Sequence, residues 1–236
     1  RFYTAATVQV GIGGTFVVEE ALLSGWAQTA ALRDGSAIDP LSPKVNVTVA
    51  GGSGEKHEVV FGNFKCFDVT GNKREDISGD GSAAGDPAVS AWPIELLKDG
   101  VVVANTTTGA DGAYSFNVCG GGTYQVREGM LPGWTATAAT TSVTFEGVSG
   151  STYGPFDFLN FKCWGVTGHK YDDTNGNGLL DAGEPFIAGW GISLLKGTTV
   201  VARTTTNAQG IYNFEVCEAG SFAVKEEKRA GWKNTT

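Results

Sequence analysis

Internal repetition is the strongest constraint on the fold of this chain of 236 residues. The block FGNFKC at residues 61–66 recurs 97 residues later as FLNFKC at residues 158–163. A longer block that ends in Gly-Trp occurs three times, at residues 7–26, 115–134 and 213–232. Because self-similarity at a fixed period is typical of repeat architectures, we expect tandem units of about 97 residues.

The register of the repeats predicts three units. Residues 1–63 form the back half of one unit, residues 64–160 form a complete unit, and residues 161–236 form a unit without the closing strands that match 142–160. We therefore expect either a window on a longer array or open ends that a neighbouring molecule fills. The first residue is Arg1 and no signal peptide is present, which indicates a processed chain or a piece of a longer one.

The local patterns favour an all-β fold. The chain has 35 glycines, one methionine and many Thr and Val residues, a composition of strands and turns. Asp99-Gly100 is a hairpin signal, and Trp92 and Trp190 are expected to anchor cores. Short strands with frequent turns predict a β-sandwich in each unit. In the complete unit, alternating runs predict strands at residues 94–97, 101–104, 113–118, 123–128, 142–145 and 156–161.

Residues 173–184, DTNGNGLLDAGE, match the calcium-loop pattern D-x-[DN]-x-[DN]-G-x5-E without a mismatch. Oxygen ligands at this spacing suit Ca²⁺, whereas Zn²⁺ would call for His or Cys. The flanking segments, 166–171 and 190–195, read as strands, so we expect an EF-hand-type loop on a β scaffold that holds a structural ion. The alternative is a solvated Asx/Gly turn without a metal. The predicted ligands are Asp173, Asn175, Asn177, Leu179, Asp181 and Glu184.

A second, weaker loop is expected at the matching place in the complete unit. Residues 76–86 have Ala84 at the ninth position and lack one residue before the final acid. Fewer charged ligands predict weaker cation binding. The residues that would contribute are Asp76, Ser78, Asp80 and Asp86.

The four cysteines divide evenly between the last two units. Cys66 and Cys119 lie in the complete unit, and Cys163 and Cys217 lie in the third unit at nearly the same separation. One disulfide within each unit, Cys66–Cys119 and Cys163–Cys217, is the simplest pairing. Zinc binding is the alternative, although no CxxC motif or Cys/His cluster supports it. Disulfides would place the chain outside the reducing cytoplasm, at an extracellular or cell-surface location.

Several function classes are disfavoured by charge and by missing motifs. The formal net charge is −8 and no Lys/Arg stripe is present, so nucleic acid is not an expected partner. No apolar run is long enough for a membrane span. The two histidines, His57 and His169, fall in different units, and no nucleophile–base or phosphate-loop pattern is present. We therefore do not expect an enzyme.

The chain resembles the B-repeat domains of serine-aspartate-repeat surface proteins and the wider collagen-adhesin B-type family. The resemblance is carried by residues 166–178, DAGEP at 181–185, TTTNAQG at 204–210, and the Gly-Thr-Tyr-x-Val-x-Glu and Pro-Gly-Trp elements within 122–134. It implies immunoglobulin-like or prealbumin-like β-sandwiches, stiffened by calcium and used in tandem as an extracellular stalk. The cysteines depart from the pattern of the bacterial repeats.

Some members of this family form a spontaneous Lys–Asn isopeptide bond beside a buried acid. The resemblance implies Lys73 or Lys170 as the amine, Asn160 as the amide and Glu128 as the acid. The reaction requires a buried, deprotonated lysine and a carboxyl group that shares its proton. The alternative is a surface lysine and an ordinary strand-end amide.

Other motifs suggest surface modification or ligand binding. Asn46, Asn105 and Asn234 begin N-glycosylation sequons, and the clusters Thr106–Thr108 and Thr204–Thr206 are either O-glycan sites or exposed strand residues. Trp26, Trp134 and Trp232 each follow a glycine, where an exposed indole would stack on a sugar. Since the Gly-Trp pair recurs in every unit, a scaffold role is favoured.

The sequence thus favours an extracellular structural protein over a binding module. We expect it to build a filament, fibril or stalk with copies of itself, joined head to tail. The sheet edge left open in the third unit would accept a strand from the next subunit, either 1–10 or another part of the leading half-unit. An adhesin or carbohydrate-binding surface module within a larger cell-wall-anchored protein, which would bind glycans or a host-surface ligand, is the second hypothesis.

Overall fold

The computed structural model describes residues 14–34, 36–38, 47–52, 54–138 and 141–235, and every regular element in these ranges is a β-strand. The predicted all-β class is confirmed. Within the same ranges, no helix has the length and apolar character needed to cross a lipid bilayer. The strands are β1 (Gly14–Val18), β2 (Trp26–Arg33), β3 (Ser36–Ile38), β4 (Val47–Gly51), β5 (Val59–Lys65), β6 (Phe67–Glu75), β7 (Pro93–Lys98), β8 (Val101–Thr107), β9 (Ala113–Val118), β10 (Gly122–Glu128), β11 (Trp134–Ala136), β12 (Ser142–Gly147), β13 (Phe158–Lys162), β14 (Trp164–His169), β15 (Gly191–Lys196), β16 (Thr199–Thr205), β17 (Ile211–Val216) and β18 (Phe222–Glu226).

The chain folds into two compact units. The first comprises Arg1–Arg74, Ala88–Gly129 and Thr140–Phe158, and the second comprises Glu75–Pro87, Met130–Ala139 and Leu159–Thr236. These units do not follow the boundaries at 63 and 160, because segments distant in sequence pack together. The division into three repeats stays a prediction.

The first unit contains an antiparallel sheet in the order β12-β10-β7-β8 and an antiparallel pair of β6 and β9. Side chains on a strand point alternately to opposite faces. In β9 this places Tyr114, Phe116 and Val118 inward, and their neighbours are exposed. Phe67 and Val69 of β6 are buried in the same way. The leading residues add the pair β1–β4 and the sheet β3-β2-β5.

The second unit repeats part of this pattern. β14 pairs with β17, and β15 lies between β16 and β18. β11 pairs with β13. Its buried apolar cluster consists of Trp190, Ile192, Leu194, Phe214 and Val216.

Both predicted core tryptophans are buried, with 0% of Trp92 and 2% of Trp190 exposed. A threonine holds each one. The Thr108 hydroxyl accepts the backbone N–H of Trp92 at 3.0 Å and donates to the carbonyl of Val89 at 2.6 Å. Thr206 accepts the backbone N–H of Trp190 at 2.9 Å. These two threonines are 4% exposed, so the structure removes them from the predicted O-glycan sites.

The predicted strands of residues 64–160 are found with small changes at their ends. β9 has the predicted bounds, and β7, β8, β10 and β12 extend the predicted runs by one to three residues. β13 begins at Phe158, two residues later than predicted. Asp99 and Gly100 have φ values of 50° and 81°, as a tight β7–β8 hairpin requires of both central residues.

Candidate metal centre

The loop at residues 173–184 connects β14 to β15, and backbone pairing closes its base. Tyr171 forms an isolated antiparallel bridge with Phe186. The N–H of Asp172 donates to the carbonyl of Pro185 at 2.9 Å. These two contacts therefore hold the first and last residues of the loop next to each other.

Asp173, the first residue of the loop, organises the turn. Its Oδ1 accepts the N–H groups of Gly176 at 2.8 Å and Asn177 at 3.1 Å, and its Oδ2 accepts the N–H of Gly178 at 2.8 Å. Gly178 has a φ of 79°, a conformation that glycine adopts without steric cost. This is the position at which the calcium-loop pattern demands glycine.

The other predicted ligands converge on the same loop interior. Asp181 Oδ2 accepts the amide groups of Asn175 and Asn177, both at 2.7 Å. Glu184 accepts the N–H of Thr174 at 2.9 Å and that of Asp181 at 3.1 Å. The loop thus gathers three carboxylates and two amides within hydrogen-bond distance of one another or of the loop backbone.

This donor set fits Ca²⁺. Carboxylate and amide oxygens are hard ligands, and an Asn side chain presents its oxygen where its nitrogen lay after a half-turn of the amide. Leu179 has no side-chain oxygen, so its backbone carbonyl is the group that it would offer to an ion. The set contains no His or Cys that would favour Zn²⁺.

The pKa of Asp173 lies below its usual value of 3.8. Desolvation acts to raise the pKa, but hydrogen bonds from the side chain of Thr235 and from the loop backbone outweigh it. Asp173 is therefore a carboxylate at neutral pH, ready to bind a cation. Its contribution to stability is present above pH 3.8 and is lost as the pH falls through the lowered pKa.

The second loop has a similar frame with fewer ligands. Asp76 is fully buried, and it accepts the N–H groups of Gly79 at 2.7 Å and Gly81 at 2.8 Å. The N–H of Ile77 lies 3.4 Å from Asp86 Oδ1, in the place of the Thr174–Glu184 contact. Ser78 and Asp80 lie on the same turn, and their oxygens bond within it. Ala84 contributes no side-chain oxygen, as expected from the sequence.

Sequence reasoning missed one threonine at each loop. The Thr137 side chain hydrogen-bonds to Asp76, and the Thr235 side chain hydrogen-bonds to Asp173. Both threonines occupy the last position of a Gly-Trp-x-x-Thr pattern, at residues 133–137 and 231–235. Extending the repeat alignment by three residues beyond the tryptophan would have found them.

Both predicted disulfides, Cys66–Cys119 and Cys163–Cys217, are present. They close loops with sequence separations of 53 and 54. Since each sulfur is bonded to its partner, no thiolate pair is left for the alternative zinc site.

Lys73, Glu128 and Trp92 form a buried cluster in the first unit. Lys73 Nζ lies 3.5 Å from Glu128 Oε2 and 4.5 Å from the centre of a Trp92 ring. Desolvation lowers the pKa of Lys73 to about 8, and the attraction of Glu128 opposes this shift. The amine is thus neutral far more often than an exposed lysine. Asn160, in the second unit, is also fully buried, and an isopeptide bond to it stays a prediction.

The matching cluster of the second unit is more open. Lys170 Nζ lies 3.0 Å from Glu226 Oε2, with 19% and 26% of the side chains exposed. Lys170 also lies 4.8 Å from the Trp190 ring centre. A second cation, Arg229, lies 4.6 Å from the same ring.

The remaining predicted surface sites differ in exposure. Asn105 and Asn234 are exposed, so N-glycosylation there stays a prediction, and Asn46 lies outside the described residues. Trp26 and Trp134 are half-buried, and Lys162 lies 5.8 Å from the Trp134 ring. Trp232 is 46% exposed and packs edge-on against Trp190. This contact supports the scaffold role, and the exposed remainder leaves sugar stacking as a hypothesis.

Comparison with known proteins supports the family resemblance. Residues 167–236 match the model of the SdrD B-like domain. The chain is 29% identical over 153 residues to serine-aspartate repeat-containing protein F of Staphylococcus epidermidis, covering 59% of this chain and 9% of that protein. It is 28% identical over 191 residues to serine-aspartate repeat-containing protein C of Staphylococcus aureus, covering 74% of this chain and 21% of that protein. The chain therefore spans a small part of these relatives.

Among solved structures, the chain is similar to the Bacillus anthracis TIE protein, with 13% identity, a TM-score of 0.38, and coverage of 90% of this chain and 45% of that one. It is also similar to a streptococcal ancillary pilin, with 12% identity, a TM-score of 0.37, and coverage of 80% and 74%.

The relatives in sequence test the predicted location and the predicted family resemblance. An extracellular, cell-surface location is confirmed, whereas a structural role, calcium binding and strand exchange stay predictions. The predicted resemblance of this chain to the B-type domains of serine-aspartate repeat proteins is confirmed.

Proposed function

We propose that this chain is a calcium-stabilised, disulfide-linked building block of an extracellular filament or surface stalk. The loop at 173–184 is the observation that carries the proposal. The side chains of the five predicted ligands other than Leu179 already hydrogen-bond within the loop. A rigid strand pair enters and leaves the loop, so an ion bound there would stiffen the module.

The loop residues have distinct parts in this proposal. Asp173 and Glu184 lie at the two ends of the loop, and binding one ion would tie these ends together. Asp181 and the amides of Asn175 and Asn177 would complete the shell, with the carbonyl of Leu179. When bound, Ca²⁺ supplies positive charge that offsets the repulsion between the carboxylates. The loop at 76–86 is proposed as a weaker site of the same kind.

Calcium titration with a matched variant tests this proposal. Glu184→Gln removes a carboxylate from the loop and keeps its volume, and Glu215→Gln makes the same change at an exposed strand position. Ligand at about 100 times its Kd stabilises a folded protein by about 2.7 kcal/mol, so Ca²⁺ should raise the Tm of the native chain by several degrees. The readouts are thermal unfolding and calorimetric titration, each with and without a chelator.

The expected result is that Glu184→Gln loses the calcium-dependent rise in Tm and Glu215→Gln keeps it. If the chelator leaves the Tm of the native chain unchanged, the loop is a solvated turn and the proposal is wrong. Equal calcium responses in the two variants would also contradict the assigned ligands.

Assembly by strand complementation is the second part of the proposal. An open sheet edge is a template for a strand from another chain, and head-to-tail contacts that do not close propagate into a fibre. A segment of the leading half-unit is the proposed donor. Residues 1–10, the first choice from the sequence, lie outside the described residues. If residues 1–10 are the donor, subunits without them should form shorter assemblies by light scattering, whereas normal assembly would leave the rest of the leading half-unit as the donor.

Ligand binding at a cell surface is the other candidate function, and the 46% exposure of Trp232 is the observation that favours it. A glycan array tests this candidate with the native chain and Trp232→Leu. Sugar binding that depends on Trp232 would support an adhesin or carbohydrate-binding module. The absence of binding would leave the structural function alone.

A further inference from the structure

The outer edge of β18 is open among the described residues of the second unit. β18 pairs with β15 on one side, and no described strand of that unit pairs with its other side. Its counterpart in the first unit, β10, lies between β7 and β12. Val126 in β10 is fully buried, whereas the matching Val224 in β18 is 41% exposed. In the described part of the chain, the outer edge of β18 is therefore unpaired, and it exposes the apolar side chain of Val224.

The chain itself shows which kind of strand covers such an edge. β12 pairs antiparallel with β10, and Gly147 lies opposite Gly122. β4 pairs antiparallel with β1 in the same register, and Gly51 lies opposite Gly14. Residues 143–147, VTFEG, and 47–51, VTVAG, share the pattern Val-Thr-(Phe/Val)-x-Gly. This pattern is thus the partner of a β10-type strand in both places where the chain contains it.

The two strands with this pattern differ in how firmly they are held. Phe145 of β12 stacks on Tyr124 at 5.9 Å and on Tyr153 at 4.4 Å. β4 belongs to a two-stranded sheet with β1, in which Val17 is 60% exposed and Val18 is 37% exposed. A two-stranded sheet is marginal in stability, although Val49 of β4 is 9% exposed and packs with Ala31. β4 can therefore exchange only onto an edge that buries Val49 again.

We propose that the edge of β18 binds β4 of a second copy of this chain. The templates set the register: Phe222 lies opposite Val49 and Val224 opposite Val47, with the strands antiparallel. The incoming strand turns the three-stranded sheet β16-β15-β18 into a four-stranded sheet like β12-β10-β7-β8. This inference rests on the proposed head-to-tail assembly, for which it names the donor and the acceptor.

The alternating pattern explains why this pairing is specific. Side chains at every second position face the same side of a sheet, so Phe222 and Val224 are covered together or not at all. A shift by one residue would place Thr48 over the apolar positions. Since donor and acceptor lie on different parts of the chain, each copy offers both, and the contact propagates without closing.

A pair of edge variants tests the acceptor in the full, oxidised chain with Ca²⁺. Val224→Lys places a charge on the open edge of β18. Val201→Lys makes the same change on β16, the opposite edge of the same sheet, where the valine is 45% exposed. Light scattering over a range of protein concentrations should show that Val224→Lys weakens association by about tenfold or more, while Val201→Lys associates like the native chain.

A peptide of residues 45–52 tests the donor. It should bind the native chain saturably and, in excess, dissolve the assemblies, whereas a peptide with Val47→Asp and Val49→Asp should do neither. Undiminished association of Val224→Lys would overturn the proposal, as would failure of the peptide to bind. Peptide binding without association of copies would overturn the second copy as the occupant, in favour of a strand from another source.

The outcome is separable from that of the calcium proposal. Val224 does not belong to the loop at 173–184, so Val224→Lys should keep the full calcium-dependent rise in Tm. A variant that loses association but keeps this rise supports strand exchange. Loss of both properties would show that the substitution unfolds the sheet, and this would count against β18 as a separate docking edge.

Discussion

The lysine–glutamate pairs of the two units have the same partners and opposite surroundings. Lys73 and Glu128 have side chains that are 0% and 1% exposed, whereas the side chains of Lys170 and Glu226 are 19% and 26% exposed. Both lysines lie within 5 Å of a tryptophan ring. The residue types of the ion pair and of its tryptophan neighbour are the same in both units. The solvent exposure of each pair therefore depends on the residues that pack over it.

The apolar neighbours show the same difference. Tyr124 is 4% exposed and Val126 is fully buried, while the matching Phe222 is half-buried and Val224 is 41% exposed. In the first unit, β12 covers β10 through the ring of Phe145. Closing strands thus convert a half-open layer into a sealed core, and the predictions below compare the two units.

Removing a disulfide should have the largest effect. The two loops are nearly equal in length, with sequence separations of 53 and 54, so the chain-entropy model gives each bond about 4 kcal/mol. We expect the double variant Cys163→Ala/Cys217→Ala to unfold its half-open module near room temperature. The matched variant Cys66→Ala/Cys119→Ala should keep a cooperative transition at lower Tm, because its core is sealed.

Differential scanning calorimetry with near-UV circular dichroism measures both variants. Equal losses of cooperative unfolding would mean that the closing strands add little to the stability of the sealed core. In that case the two modules would depend on their disulfides to the same extent.

Removing the lysine from each pair should have a smaller, unequal effect. Lys73→Met leaves Glu128 buried without its cationic partner, which costs about 3 kcal/mol. Lys170→Met removes a partly exposed pair, worth about 1 kcal/mol or less. Urea unfolding of the two variants measures the difference, and similar losses would show that burial does not govern these pairs.

The same lysine variant tests the isopeptide bond. Formation of the bond between Lys73 and Asn160 releases one ammonia, so the intact mass of the native chain would fall by that amount. Lys73→Met should show no such loss. A native mass equal to that of the sequence with two disulfides would exclude the bond.

The two loop threonines should give the smallest effect. Thr137→Val and Thr235→Val each remove a hydrogen bond to the first aspartate of a loop, and each should cost about 1 kcal/mol. The loss should be greater for Thr137, because Asp76 is fully buried and Asp173 is half-buried. Serine at either position should restore stability in urea unfolding. A larger loss of stability for Thr235→Val would show that burial of the aspartate does not set the size of the effect.

The sequence predicted the parts of the fold that repeat. The calcium-loop pattern, the Cys spacing and the alternation in β9 each follow from short-range rules, and the structure places these residues as expected. β6 was absent from the strands predicted for the complete unit. Its outward positions carry polar residues and it includes Gly71, which approaches the carbonyl of Phe156 so closely that a side chain would clash. Such a long-range contact leaves no local pattern.

The different burial of equivalent residues in the two units also could not be predicted from the sequence. Lys73 sits in a polar stretch with Asn72 and Arg74, which suggested a surface position, yet the structure buries it completely. Its burial depends on Trp92 and Glu128, which are distant in sequence. The threonines that hold Trp92 and Trp190 were likewise hidden, because runs of threonine also suit exposed strands.

The disulfides have a mechanical consequence for a molecule that is pulled from its ends. Tension that enters at Cys66 crosses to Cys119 through the sulfurs, so the chain between them, including the loop at 76–86, carries none of it. A stretched residue spans about 3.4 Å, so this shortcut withholds about 180 Å of extension if the module gives way. The chain between each pair of bonded cysteines, which includes the loops at 76–86 and 173–184, therefore stays out of the load path when the ends are pulled.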